Sequence, residues 1–419
     1  MGVRVTTLAN GLRIVSDRMD RVETAALGVW VATGTRNEEA DVNGVSHLLE
    51  HMAFKGTARR TARGIAEEIE AVGGSINAHT SREHTAYYVQ VLKDDLALGV
   101  DILADILQNS VFDPAELERE RAVVLQEIGQ ARDTPDDIIF DNFQDAAYRG
   151  QPLGRSVLGT EDRVRAMGRD AVIGYLHRHY VAPAMVVSAA GHVDHDRLVA
   201  LVDQAFGGLS AAPALLPEPA RYVGGEHRED RDLEQVHLVL GFPGVSFTDP
   251  DFDALGGLSM ILGGGMSSRL FQEIRETRGL VYSIYSFASS FCDGGTLAIY
   301  AGTGEAEVAE LVPVLCNELV AVTQGSVDAD LGRVKAQLKA GTVMALESSA
   351  ARCEQLARQM LIWNRPIPID EIMSRIQAVD SRAICRVAER TLGGRPTLAA
   401  IGPLARLEPL DQIARRLAL

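Results

Sequence analysis

The sequence IAEEIEAVGGSINAHT (65–80) returns in modified form as LFQEIRETRGLVYSIY (270–285), at a constant offset of 205 residues. In this alignment Gly74 matches Gly279, and both segments lead into an alternating strand followed by an amphipathic helix. A repeated pattern over so large a part of the chain is typical of two structurally similar units. The sequence therefore predicts an internal duplication of about half the chain.

The duplication agrees with the length, because 419 residues exceed one ordinary hydrophobic core. Each half mixes alternating apolar runs, such as ALGVWVAT (26–33) and VHLVLGF (236–242), with longer helical stretches. We therefore predict the α+β class, with two homologous domains that each pack an antiparallel-rich sheet against helices. The stretch SAAPALLPEPARYVGGE (210–226) is rich in proline and glycine. We therefore predict a linker at 210–231, between domains at 1–209 and 232–419.

The composition limits the function. A net charge of −16 argues against nucleic-acid binding, because phosphate contacts need a basic surface. No apolar run approaches the roughly 18 residues of a membrane span, so no membrane association is expected. The glycine-rich stretch 263–269 lacks the lysine of a phosphate loop, which makes nucleotide binding unlikely. The first residues lack the apolar segment of a secretory signal, so we expect a cytoplasmic protein.

The segment HLLEH (47–51) carries the strongest chemical signal. Its surroundings have apolar residues at helical spacing, which predicts one buried stripe: Val45, Leu48, Leu49, Met52 and Ala53. His47, Glu50 and His51 then lie on the opposite side of the helix. Asn43 is the expected N-cap of this helix.

Two histidines one turn apart can bind the same zinc ion, because neutral imidazole is a common zinc ligand. Glu50 would lie beside the metal, where it could take a proton from zinc-bound water as a general base. This is the inverted order of the His-Glu-x-x-His motif. The alternative is a solvated polar helix face, but Glu50 and the apolar stripe in phase with it favour a site.

A catalytic zinc held by two histidines needs a third protein ligand. Asp113 and Pro114 predict the start of a helix that carries Glu120 and Glu127, seven residues apart on nearly one face. Helical geometry does not choose between these two glutamates. The alternative is an acidic solvent-facing helix.

Several longer stretches resemble the pitrilysin and mitochondrial processing peptidase family of zinc peptidases, and most closely its two-domain bacterial and processing-peptidase branch. The resemblance covers essentially the whole chain. It rests on HLLEHMAFKGT (47–57), GGSINAHTSREHTAYY (74–88), ERERAVVLQEI (118–128) and GGGMSSRLFQEIRETRGLVYSIYSF (263–287).

The resemblance implies roles for further residues. Glu127, followed by a hydrophobic residue, corresponds to the third zinc ligand of the family. Glu120 corresponds to a supporting acidic residue that orients a ligand or the metal-bound water. Asn77 and Ala78 correspond to a strand edge that pairs with the substrate backbone.

The second half lacks the histidine motif, yet the resemblance implies that it contributes to catalysis. Arg275 and Tyr282 correspond to residues that reach the scissile peptide, where the phenol would stabilise the oxyanion and the guanidinium would hold a substrate carbonyl. Without the resemblance, a core tyrosine and a surface arginine would be the simpler interpretation. In the duplication Tyr282 corresponds to Asn77, which suggests that both repeats offer this strand edge to substrate.

Together these features predict a zinc endopeptidase that binds one Zn²⁺ per chain and closes two domains around an extended peptide or presequence. The resemblance implies a homodimer, and a heterodimer with a paralogous subunit is an alternative. One alternative function is a peptide-binding or scaffold subunit that needs such a partner for activity. Another is a zinc hydrolase acting on a small molecule, which the substrate-strand match disfavours.

Overall fold

A computed structural model describes residues 2–324 and 327–418. The elements of the first half are β1 Arg4–Thr7, β2 Arg13–Arg18, β3 Thr24–Val31, α1 Val45–Ala53, α2 Ala62–Ala71, β4 Ser75–Thr80, β5 Thr85–Leu92, α3 Leu96–Gln108, α4 Pro114–Asp133, α5 Pro135–Ala147, α6 Glu161–Ala166, α7 Arg169–His179, β6 Met185–Gly191 and α8 His195–Phe206.

The elements of the second half are β7 Gly225–Asp230, β8 Val236–Pro243, α9 Phe252–Gly263, β9 Val281–Ser290, β10 Gly295–Thr303, α10 Val308–Gln324, α11 Asp328–Ala345, α12 Ser349–Trp363, α13 Ile369–Ala378, α14 Ser381–Leu392, β11 Thr397–Gly402 and α15 Leu410–Arg416. A π-helical segment, Phe271–Thr277, precedes β9. The alternating runs noted in the sequence correspond to strands β3 and β8.

The two sheets share one topology. The first has the order β1-β2-β6-β3-β5-β4, and the second has the order β7-β11-β8-β10-β9. In each sheet one pair is parallel, β2 with β6 and β7 with β11, and the other neighbours are antiparallel. Apart from the additional β1, the second sheet repeats the first in strand order and direction. The predicted α+β class and the internal duplication are therefore confirmed.

Strand β4 is an edge strand of the first sheet, and β9 is an edge strand of the second. An edge strand pairs on one side only, so one row of its backbone groups is open to another strand. These are the strands on which the predicted substrate-contacting residues Asn77 and Tyr282 lie. Each repeat therefore presents the strand edge that the alignment suggested.

Two helices are exchanged between the halves of the chain. Contacts divide the chain into unit 1, made of residues 1–129, 155–218 and 342–367, and unit 2, made of 130–154, 219–341 and 368–419. Helix α12 comes from the second half but packs on β6, β3 and β2, whereas α5 comes from the first half and packs on β11, β8 and β7. The contiguous domains predicted at 1–209 and 232–419 do not include this exchange.

The exchanged helices explain why the central strands are buried on both faces. In β3 every residue from Ala25 to Val31 is buried. Leu27 and Val29 join the main core of unit 1, whereas Ala26 and Trp30 point to the other face and pack against Leu356 and its neighbours on α12. A strand covered on both faces is typically a continuous apolar run, so the interpretation of residues 26–33 as an alternating run is wrong, although the assignment to a strand is correct.

The predicted linker at 210–231 contains one of the points where the chain passes from unit 1 to unit 2, between Glu218 and Pro219. Its last part is not a linker, because Gly225–Asp230 forms strand β7 alongside β11. Within the described residues, no single helix is long and apolar enough to cross a membrane, and one bent pair, α10 with α11, qualifies by length and composition only.

Candidate metal centre and active site

Helix α1 begins one residue later than predicted. Gly44, with φ of 95°, is its N-cap, and the expected N-cap Asn43 instead donates a hydrogen bond to Glu38 Oε2 at 2.8 Å. The buried Glu38 carboxylate also accepts from the backbone N–H of Gly44 at 2.8 Å and of Ser46 at 2.9 Å. The prediction failed because the carboxylate of Glu38, six residues before Gly44, satisfies the free amides of the first turn, which the side chain of the N-cap residue otherwise does.

The apolar stripe of α1 is buried as predicted, with Val45, Leu48, Leu49, Met52 and Ala53 all in the core of unit 1. The opposite face is not a solvated surface. The side chains of His47 and His51 are only 13% and 17% exposed. The interpretation of this segment as an exposed polar helix face is therefore wrong.

Three side chains from α1 and α4 meet at one point. His47 Nε2 and His51 Nε2 lie 3.8 Å and 3.7 Å from Glu127 Oε2, and the three ligand atoms are all within 4.8 Å of one another. In tetrahedral zinc with bonds of about 2.1 Å, neighbouring ligand atoms are roughly 3.4 Å apart. The observed separations are thus slightly wider than those of a closed site.

The same atoms carry a second sign of a metal site. Glu127 Oε2 is buried and has no hydrogen-bond partner among the described residues. A buried carboxylate oxygen without a partner is costly, whereas a cation would satisfy it. Burial lowers the pKa of His47 to about 4, which keeps this imidazole in the neutral form that binds metals. The three residues therefore fit a zinc ion.

Glu120 lies on the other side of His51. Its Oε2 is 3.0 Å from His51 Nδ1, and its Oε1 is 2.6 Å from Lys55 Nζ. Since an ionised carboxylate only accepts, His51 donates from Nδ1 and presents the lone pair of Nε2 toward Glu127. The structure thus places Glu127 with the two histidines and Glu120 behind one of them, which resolves the choice that helical geometry had left open.

Glu50 lies next to the three ligands and is not one of them. Thr80 Oγ1, at the end of β4, donates to Glu50 Oε2 at 2.6 Å. Burial raises the pKa of Glu50, and the hydrogen bond from Thr80 opposes that rise. This arrangement leaves a partly buried carboxylate, held through one of its oxygens, at the end of the edge strand.

Asn77 and Ala78 lie on β4, opposite Tyr88 and Tyr87 of β5. The backbone N–H of Ala78 donates to the side-chain oxygen of Asn77 at 2.8 Å. On the open edge of the sheet, this N–H therefore has a local side chain as its partner and no neighbouring strand. Asn77 and Ala78 are therefore placed where an added strand would pair.

Arg275 and Tyr282 lie together in unit 2. The guanidinium carbon of Arg275 is 5.9 Å from the centroid of the Tyr282 ring and 4.7 Å from that of Phe271. Tyr282 is 76% exposed at the start of β9, so its interpretation as a core aromatic is wrong.

Sequence reasoning missed three polar residues of this region: Glu38, Lys55 and Thr80. Lys55 lies beyond the end of α1 and pairs with Glu120 of α4, a contact that the sequence spacing does not indicate. Thr80 ends the strand that was already assigned to substrate. Glu38 lies six residues before Gly44, outside the positions of the known capping patterns, so the conformation of the intervening segment brings it to the start of α1.

The comparisons with known proteins agree with this geometry. The family model for insulinase, peptidase family M16, matches residues 13–161, and the model for the peptidase M16 inactive domain matches residues 166–338. The chain is 40% identical to an uncharacterized zinc protease of Streptomyces coelicolor, covering 96% of this chain and 90% of the relative. The chain therefore belongs to the insulinase-like M16 family of peptidases. Several of its relatives are named zinc proteases.

Other similar proteins span most of the chain. A probable mitochondrial-processing peptidase subunit beta of Arabidopsis thaliana is 37% identical, covering 99% of this chain and 81% of the relative. Among solved structures, a protease from Helicobacter pylori has a TM-score of 0.88 at 23% identity, covering 96% of this chain and 99% of that one. A chain of complex III from Candida albicans has a TM-score of 0.88 at 21% identity, with full coverage of both. These two structures support the fold alone.

Proposed function

We propose that this protein is a zinc endopeptidase that hydrolyses extended peptides, with one catalytic zinc held by His47, His51 and Glu127. The observation that carries the proposal is the convergence of these three ligand atoms beside Glu50, at the end of an open sheet edge. The names of the zinc-protease relatives support it. When bound, zinc would supply Lewis-acid polarisation and lower the pKa of a coordinated water.

Glu50 is the general base in this proposal. Its carboxylate takes a proton from the attacking water and later gives it to the leaving amine nitrogen. Burial raises the pKa of Glu50, which favours return of the proton at near-neutral pH. Thr80 fixes the carboxylate by holding Oε2, so that the other oxygen is available to the water.

The substrate binds to β4 as an added strand. Its backbone carbonyl replaces the Asn77 side chain as the partner of the Ala78 N–H, because this donor has no ladder partner to give up. Such pairing reads the main chain, so a broad preference for extended peptides is expected. Because Thr80 follows on the same strand, this register leads the bound peptide toward Glu50.

The family resemblance implies that Arg275 and Tyr282 also take part in the proposed reaction. The exposed phenol of Tyr282 would donate to the developing oxyanion, and Arg275 would hold a substrate carbonyl. Their side-by-side arrangement at the start of β9 is compatible with a joint role. Measuring kcat and KM for Tyr282→Phe tests this part, because loss of an oxyanion donor lowers kcat by about 10²-fold or more.

The main experiment compares cleavage of a mixed peptide library by the zinc-loaded wild type and by Glu50→Gln. A loss of about 10²-fold or more in the variant, with zinc content unchanged, would support the proposal. Glu118→Gln is the matched control, because Glu118 is an exposed glutamate of α4 and its loss should leave the rate unchanged.

Absence of cleavage by zinc-loaded wild type would overturn the proposal for the isolated chain. It would favour the alternative of a binding or scaffold subunit that needs a paralogous partner. Cleavage of a short acyl substrate but of no peptide would favour the small-molecule hydrolase. We also propose a cytoplasmic homodimer, which sedimentation analysis and cell fractionation test.

A further inference from the structure

Two histidines face each other at the turn between β4 and β5. His79 lies near the end of β4 and His84 directly precedes β5, and their Nε2 atoms are 3.3 Å apart. Successive side chains of a strand point to opposite faces. Thr80 reaches Glu50 on the α1 side, so His79 lies on the other face, where its ring is 5.9 Å from that of Tyr88.

The separation of the two nitrogens matches a shared metal ion. Two imidazoles bound to one tetrahedral zinc at about 2.05 Å place their nitrogens roughly 3.3 Å apart. The rings are nearly perpendicular, with an interplanar angle of 86° and centroids 5.4 Å apart. The pair is thus closer to ligand spacing than the set formed by His47, His51 and Glu127.

The hydrogen bonds of the turn are compatible with a metal-binding tautomer of His84. Ser81 Oγ can donate its only proton to the carbonyl oxygen of His84 at 2.8 Å. With the proton directed to that carbonyl, the imidazole donates the contact of 2.9 Å between His84 Nδ1 and Ser81 Oγ, which is the arrangement that suits metal binding. A Ser81 hydroxyl that donates to Nδ1 instead goes with the simple hydrogen bond between the two histidines. In the metal-binding arrangement, His84 Nε2 carries a lone pair directed at His79, as in metal-binding histidines whose other nitrogen is held by a hydrogen bond.

The surroundings favour neutral imidazoles and place a carboxylate close by. Burial lowers the pKa of His84 to about 4 and also lowers the pKa of His79. Glu354 of α12 acts electrostatically on His79 in the opposite sense to Arg358, which lies 3.8 Å from Glu354. A bound cation would gain from Glu354 and would be opposed by Arg358.

We propose that His79 and His84 form a second binding site for a divalent transition-metal ion such as zinc or copper(II), distinct from the site of His47, His51 and Glu127. Imidazole suits both ions, and copper binds more tightly in the general order of divalent metals. The site has two protein ligands, and water takes the remaining coordination positions. The site therefore fills after the three-ligand site.

The competing explanation is a simple hydrogen bond in which the Nε2 of one histidine donates to the Nε2 of the other. Calorimetric titration of the metal-free protein with zinc, and separately with copper(II), decides between the two. We expect two equivalents in the wild type, one tight and one weaker. His79→Ala and His84→Ala should each lose the weaker equivalent and keep the tight one, which also shows that they are folded.

Two further variants complete the test. His177→Ala removes an exposed histidine of α7 and should keep both equivalents. His47→Ala should lose the tight equivalent and keep the weaker one. A single equivalent in the wild type for both metals, or a second one that persists in His79→Ala and His84→Ala, would overturn the proposal. Because the readout is binding, the outcome is independent of peptidase activity.

Discussion

Corresponding pairs of helices in the two units carry different side chains where they face each other. Helix α1 follows the central strand β3 and α9 follows its counterpart β8. In unit 1 the pair α1 and α4 brings His47, His51 and Glu127 together. In unit 2 helix α9 contains neither histidine nor glutamate, and the space beside Gly257 is lined by apolar side chains, with Val334 of α11 among them.

This difference shows that the fold requires only close apolar packing between these helices, whereas the buried polar groups of unit 1 serve the site. In unit 2 a Cβ added at Gly257 would come within 2.8 Å of Ile384, so this region is closely packed and apolar. In unit 1 the same architecture keeps His47 Nδ1 and Glu127 Oε2 buried without partners among the described residues. Since such groups are costly, unit 1 gives up stability for a site, and unit 2 shows that the fold forms without one.

The largest effect should come from replacing Glu127 of unit 1 with an apolar residue of the kind that unit 2 has in this region. Glu127→Val removes one zinc ligand and the buried carboxylate. We expect loss of zinc and of at least about 10³-fold in kcat/KM, because Lewis-acid catalysis is worth several kcal/mol. In the presence of a chelator, the variant should be no less stable than the wild type. Retained zinc and activity would contradict the comparison, and Glu118→Val is the control on the same helix.

Sequence reasoning succeeded for the strands and for the duplication because their signals are local. The apolar run 26–33 and the strand expected after 65–80 correspond to β3 and β5, and the repeat correctly predicted the second sheet. The exchange of α5 and α12 was not visible. Both helices have an apolar face that fits a sheet, and two homologous sheets offer nearly equivalent surfaces, so only the tertiary structure decides which one each helix covers.

The site shows the same limit. His47, Glu50 and His51 share one turn of helix, so their spacing identified them, and the family resemblance selected Glu127. Glu38 and Thr80 act through contacts with α1 from segments 8 and 30 residues away, which no periodicity encodes. Local patterns thus predict ligands on one helix, whereas the residues that hold those ligands follow from packing.

Truncation of an exchanged helix tests the discontinuous units. Leu356 of α12 is fully buried against the sheet of unit 1. We expect Leu356→Ala to lower the free energy of unfolding of unit 1 by about 3 kcal/mol. Trp30 and Trp363 both lie in unit 1, so tryptophan fluorescence during denaturation reports on this unit.

The control truncates Met344, which is 68% exposed, and should change this free energy by less than about 0.5 kcal/mol. Equal effects of Leu356→Ala and Met344→Ala would mean that α12 does not belong to the core of unit 1.

A smaller effect is expected for Glu120, which contacts His51 but does not join the three candidate zinc ligands. Glu120→Gln keeps the size of the side chain but weakens its contacts with His51 and Lys55. We expect a loss of about 10- to 100-fold in zinc affinity, typical of groups that orient a ligand. At saturating zinc, activity should largely recover, which distinguishes Glu120 from Glu127. Competition with a zinc-binding dye measures the affinity, and an unchanged value would contradict the assigned position.

The smallest effect concerns the hydrogen bond that links β4 to the general base. Burial raises the pKa of Glu50, and the Thr80 hydroxyl opposes that rise by stabilising the carboxylate. Thr80→Val removes this donor, so the pKa should rise further. The basic form then appears only at higher pH, and the acid limb of the kcat/KM profile should move up by about one pH unit, the equivalent of one hydrogen bond to a charged group. Thr80→Ser keeps the hydroxyl and should restore the wild-type profile, and an acid limb that stays in place or moves down in Thr80→Val would show that the bond does not set the protonation of Glu50.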